Sequence, residues 1–155
     1  MKNFYQKGVT LIELLVVLVV LGTIISVVLP RFSKIRENTV LKNAVSGVLS
    51  SIDKAKSETL SSLNSSEYGV HFQSDKVLIF KGKIFSAGGV DNESIVITTP
   101  ASISNVTLGG VSSTSGDMYF NRLYGVPSTT GTITISTPSS SKIITIYGTG
   151  AVSSN

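Results

Sequence analysis

The chain contains no cysteine, which excludes disulfide scaffolds, zinc fingers, iron–sulfur centres and cysteine nucleophiles. It has a single histidine, His71, so His-rich metal sites are excluded and at most one His-based catalytic arrangement is left. Charge is scarce. Asp, Glu, Lys and Arg make up 14% of the 155 residues, against about 25% in an ordinary soluble domain. Acidic residues almost vanish late in the chain, with Asp117 the only one after Glu93. Basic residues thin out as well: beyond position 84 only Arg122 and Lys142 remain, which is no footprint for a phosphate backbone. Direct nucleic-acid binding is therefore not expected. The net charge of +4 owes two of its cations, Lys2 and Lys7, to the first eight residues, and the remainder is close to balanced.

What the chain has instead is apolar surface. Hydrophobic residues reach 41% and the mean hydropathy is +0.33, the opposite of a disordered composition. Much of it is concentrated near the start. Between Lys7 and Arg31 the only ionisable side chain is Glu13, and Leu14 to Leu21 is an unbroken apolar run. As a helix, residues 9–29 span roughly the 30 Å of a bilayer's hydrocarbon core. A cleaved secretory signal would need a shorter run and a small-x-small site, yet no alanine occurs before Ala44. A plain anchor fits the length but leaves Glu13 to be explained. A lone carboxylate in hydrocarbon costs about 2.5–3.5 kcal/mol on insertion scales, unless it lies near the interface and reaches water. Lys2 and Lys7 favour a cytoplasmic N-terminus, but Arg31, Lys34 and Arg36 flank the other end, so charge counting alone does not orient the span.

The stretch Lys7-Gly8-Val9-Thr10-Leu11-Ile12-Glu13-Leu14-Leu15-Val16-Val17-Leu18 resembles the processing site of type IV prepilins and type II secretion pseudopilins. The resemblance implies a cleaved leader (residues 1–8), cut after Gly8 by a membrane prepilin peptidase on the cytoplasmic side. The same enzyme would methylate the new N-terminus at Val9. Glu13 then stands fifth in the mature chain, and Pro30 falls where such proteins commonly carry a proline. The departure is Val9, where phenylalanine is usual. The resemblance also implies a partner for Glu13, since cleavage creates a cationic amine at Val9. One subunit's carboxylate can meet its neighbour's amine in a stacked assembly. Removing one member of such a buried pair costs about 3–5 kcal/mol, so the pair would act as an assembly register.

Beyond Pro30 the chain reads as a continuing, now amphipathic, helix over residues 30–63. Ile35, Leu41, Ala44, Val45, Val48, Leu49, Ile52, Ala55 and Leu60 recur three or four apart as one apolar stripe. Pro30 is expected to kink or loosen the helix, and the Ser61–Ser66 region to end it. From Tyr68 the period switches to two. Strands are expected at Tyr68–Phe72, Val77–Phe80, Ile84–Phe85, Ser94–Thr98, Val106–Leu108, Met118–Phe120, Thr132–Ser136 and Lys142–Tyr147. The expected fold is α+β: a long N-terminal helix, transmembrane (residues 9–29) then amphipathic, packed against a C-terminal antiparallel sheet in a head of residues 64–155. That layout is pilin-like. Among pilin branches the head most resembles H-type minor pseudopilins and related minor pilins, through Ala55-Lys56-Ser57-Glu58, Tyr68-Gly69-Val70, Phe120-Asn121-Arg122 leading to Gly125, and a closing hairpin with Gly150.

Little in the head points to chemistry. His71 alternates away from Tyr68, Val70 and Phe72, which places it on the more exposed strand face, and no Gly-x-Ser-x-Gly elbow accompanies it. Lys81 and Lys83, near Phe80 and Phe85, read as a solvated hairpin tip. No cofactor or metal is implied, and the acidic loop of calcium-binding major pseudopilins has no counterpart. The leading expectation is a non-enzymatic filament subunit of a type IV pilus-like or type II secretion system. It would be a single-pass inner-membrane protein with an extracytoplasmic head. Its partners would be the prepilin peptidase, other pilin or pseudopilin subunits, the inner-membrane assembly platform and the membrane itself. The alternatives are an anchored β-domain acting as a surface binding module and, third, an anchored hydrolase.

Overall fold

The computed structural model describes residues 8–155, and for Leu29 and Pro30 the backbone alone. Residues 1–7, the bulk of the expected leader, lie outside the described residues, as does the Pro30 side chain. One helix, α1 (Leu11–Leu60), is followed by a short turn at Leu63–Ser65 and nine strands. These are β1 (Tyr68–Phe72), β2 (Lys76–Lys81), β3 (Glu93–Val96), β4 (Ser102–Leu108), β5 (Val111–Ser113), β6 (Gly116–Tyr119), β7 (Gly131–Ser136), β8 (Ser141–Ile146) and β9 (Val152–Ser154). The fold is α+β and pilin-like: one long N-terminal helix packed against antiparallel sheets. By contacts the chain divides into two compact units, residues 1–36 and 37–155, so α1 from Glu37 onward belongs to the same unit as the strands.

The strands form two sheets rather than the single one expected, in the orders β3-β2-β1-β6 and β5-β4-β7-β8-β9. Register fixes which residues share a face. Val70 sits opposite Ile79 and Met118, and Phe72 opposite Val77, so these five point to one side of the first sheet and are buried. In the second sheet Ile133 pairs with Val106 and Ile144, and Ile135 with Ile103. Leu41, Ala44, Val45, Val48, Ile52 and Ala55 of α1 join both sets in one apolar cluster. Fully burying a side chain of this size contributes about 1.5–3 kcal/mol, and this cluster is the main source of the head's cohesion. The second sheet's other face is threonine-rich, with Thr132 opposite Thr145 and Thr107, which suits a solvated antiparallel surface.

The ends of the helical stripe depart from expectation. Ile35 and Leu60 are exposed, while Thr59 is wholly buried and takes the last core position. Its hydroxyl donates to the Ala55 carbonyl at 2.8 Å and accepts from the Tyr68 amide at 2.9 Å. Burying a hydroxyl costs little when both roles are filled, and here they tie the helix end to β1. Arg122 completes the corner. Its guanidinium donates to the Ser62 hydroxyl at 3.2 Å and to the Ser65 carbonyl at 2.9 Å, holding a turn in which Ser62, Asn64 and Ser65 all have positive φ.

Two further expectations fail for local reasons. Ile84–Phe85 is not a strand but part of a long connection between β2 and β3. β4 begins at Ser102 rather than Val106, because a bulge between Ile103 and Asn105 resets the alternation and turns both Ile103 and Val106 inward.

Candidate functional site: the N-terminal segment and the His71 face

The candidate cleavage residues lie ahead of α1 in open surroundings. Gly8 and Val9 are non-helical and exposed, and a Cβ added at Gly8 would meet nothing within 4 Å. Helix begins immediately after Thr10, whose hydroxyl accepts the Glu13 amide at 3.3 Å. The Leu14 amide in turn donates to the Thr10 carbonyl at 3.1 Å. Thr10 is thus the N-cap, and Thr10-x-x-Glu13 has the spacing of a capping box. Glu13 stands in the first turn, where a negative charge is favoured by the helix dipole. The S/T-x-x-E signal was present in the sequence, but the Thr10 half of it is legible only beside a known helix start.

From Leu11 to Val28 every side chain is exposed within the chain, whichever way it points. Leu11–Leu60 is, among the described residues, the one helix long and apolar enough to cross a membrane. The helix continues through residue 30 without interruption. Gly8, Val9 and Glu13 are neighbours along one helix start; Pro30 lies far from them along the same helix.

His71 differs from expectation. The back face of the first sheet, opposite the main core, is itself covered, and the His71 side chain is only 12% exposed. The Phe85 ring stacks on the imidazole at 3.8 Å and 3°, and meets Phe80 edge-on at 5.5 Å. The connection after β2 thus lays Phe85 onto β1 rather than forming a strand. Gly69 is required beside Phe80, because a Cβ there would lie 2.4 Å from the Phe80 ring and 2.5 Å from the Met118 carbonyl. His71 Nδ1 is buried without a hydrogen-bond partner among the described residues, 3.9 Å from the Asp117 carboxylate. Burial holds the imidazole below its ordinary value of 6.5, and Asp117 opposes that shift without reversing it. The carboxylate nearest His71 is therefore Asp117, not the sequence neighbour Asp75, and this is an apolar packing site that holds one largely buried titratable ring.

Lys81 and Lys83 are not a free basic spot. Lys83 lies 3.6 Å from Glu67 and over the Tyr119 ring, and Lys81 lies 3.9 Å from Asp91. Lys54 pairs with Glu93, a contact that raises the lysine's pKa chiefly through their hydrogen bond. A cleft of about 160 Å³ between α1 and β3, lined by Val40, Ala44, Gly47, Val77, Ile95 and Ile97 among others, has no ionisable lining residue.

With this geometry in place, comparison with known families adds one finding. Residues 3–29 match the family model described as the prokaryotic N-terminal methylation motif. That motif is found in type IV pilins and pseudopilins, marks a structural rather than an enzymatic class, and coincides with the exposed Gly8–Val9 segment and the apolar part of α1. No curated protein and no solved structure matches the chain.

Proposed function

We propose that the chain is the structural subunit of a pilus-like or pseudopilus filament, made as a prepilin and cut after Gly8. Residues 9–29 hold the subunit in the inner membrane and later line the filament interior. The peptidase that cuts after Gly8 also methylates Val9. Glu13 pairs with the Val9 amine of an adjoining subunit, and Pro30 loosens the helix just beyond the apolar span. The observation that carries this reading is the pairing of the methylation motif with a helix of which no side chain from Leu11 to Val28 is covered by its own chain. A surface of that size and apolarity requires lipid or other helices around it.

A place among H-type minor pseudopilins or related minor pilins rests only on the residues quoted for that likeness. Among them Gly125 and Gly150 both have positive φ, and a Cβ on Gly150 would lie 2.4 Å from the Gly125 carbonyl. The Lys56 ammonium donates to the Gly150 carbonyl at 2.9 Å, joining three of the quoted segments at one corner.

The test is co-expression with a prepilin peptidase and its assembly system. Native chain is expected to shift to the mature size and enter filaments. Gly8→Leu should remain full length and stay in the membrane. Glu13→Ala should be processed normally yet fail to incorporate. Normal incorporation of both variants would overturn the proposal.

A further inference from the structure

Three cations immediately after the apolar span have no role in the reading above. Arg31, Lys34 and Arg36 are all exposed, and among the described residues none has a carboxylate within 4 Å. The nearest acid in sequence, Glu37, accepts a hydrogen bond from the Ser139 hydroxyl. Phe32, in the same band, is 69% exposed.

The helix dictates how the three are arranged. At 3.6 residues per turn, positions 31, 34 and 36 fall at about 0°, 300° and 140° around the axis, and the rise confines them to about 7.5 Å along it. A protein partner touching one side of a helix could meet one or two of these charges, but not all three. A medium surrounding the helix meets every one. The axial band also matches the polar layer of one leaflet, which is about 5–8 Å thick beyond the hydrocarbon.

We propose that Arg31, Lys34 and Arg36 form a cationic collar that binds the anionic phospholipid headgroups of the leaflet into which the helix emerges. This rests on the membrane-spanning part of the function proposed above and extends it. The collar sets the depth of the mature subunit. Processing removes Lys2 and Lys7 with the leader, so the outer cations become the main side-chain anchors of the span. With Arg31 held at the headgroups, Glu13 lies about 27 Å away along the helix, just within the opposite boundary of a hydrocarbon core of about 30 Å. There its carboxylate stays near water until a neighbouring amine replaces that water. Withdrawal into a filament requires the collar to shed its anionic lipids.

The experiment uses full-length chain reconstituted in phosphatidylcholine vesicles carrying a trace of spin-labelled phosphatidylglycerol or spin-labelled phosphatidylcholine, with the immobilised lipid fraction read by electron paramagnetic resonance. The native chain is expected to prefer phosphatidylglycerol by about fivefold or more at low salt, from about 1 kcal/mol per cation, and to lose most of that preference in molar salt. The variant R31Q/K34Q/R36Q should lose most of that preference, keeping only what Lys2 and Lys7 of the leader contribute. Equal association by the native chain, or an unchanged preference in the variant, would overturn the collar. Flotation of the same samples separates the two readings. Chain that floats with the vesicles but shows no lipid preference removes the collar alone, whereas chain that floats with neither vesicle type removes the membrane span and the collar together.

Discussion

The two parts of α1 are built from similar aliphatic residues but meet opposite surroundings. Between Leu11 and Val28 all side chains are exposed within the chain; between Leu41 and Thr59 every third or fourth one is buried among strands. The first part is apolar on all sides and the second on one. An all-round apolar surface cannot be satisfied by a sheet lying against one side of it, so it must be met by lipid or by other helices. A one-sided stripe is satisfied by its own head. The comparison therefore places the head's stability in the second part and the chain's associations in the first.

That division can be broken by paired substitutions. Phe72→Ala removes a fully buried ring from the core and should cost about 3–5 kcal/mol, read by chemical denaturation of the full chain in detergent followed by near-ultraviolet circular dichroism. Its membrane association should not change. Val19→Arg should do the reverse. It costs about 2.5–3.5 kcal/mol on insertion scales, lowering recovery in the membrane fraction while leaving the head's unfolding midpoint unchanged. If Val19→Arg destabilised the head, the two parts would not be separable.

Smaller effects sharpen the boundary. Thr59→Val preserves shape but leaves the buried Tyr68 amide without its acceptor, and should cost about 1–3 kcal/mol. Smaller still is the pH dependence from His71. Its pKa is lowered in the folded state, so the unfolded chain takes up the proton first as pH falls. The contribution is fully present above about 6.5 and is lost on descending through it toward the lowered folded value. The unfolding midpoint should decline between pH 7 and 5, and His71→Gln should flatten that decline. A midpoint that rises on acidification would show that Asp117 outweighs burial.

The same contrast governs what the sequence disclosed. Long-period signals were legible: the apolar run, the helical stripe from Leu41 to Ala55, and the alternation of Tyr68, Val70 and Phe72 all correspond to observed elements. The hairpin of β7 and β8 was also visible, with Ser136 opposite Ser141 and a loop one residue shorter than expected. What stayed hidden depended on contacts between distant residues. The β4 bulge breaks a period that pattern reading assumes unbroken. β5 and β9 are three residues each and built from valine and serine, too short to alternate detectably. His71 looked exposed because alternation gives a face but not what lies over it, and Phe85 covers it from outside the strand. The processing segment was legible through residue identities, while the cap at Thr10 needed the helix start to be known.

The central claim is that this chain is a processed subunit whose apolar helix starts at a newly made terminus. Intact-mass and N-terminal peptide mass spectrometry of the protein isolated from its native membrane tests it most directly. The account predicts a chain beginning at Val9, its amine carrying one methyl group. A mature protein that still begins at Met1, with Gly8 joined to Val9, would contradict it.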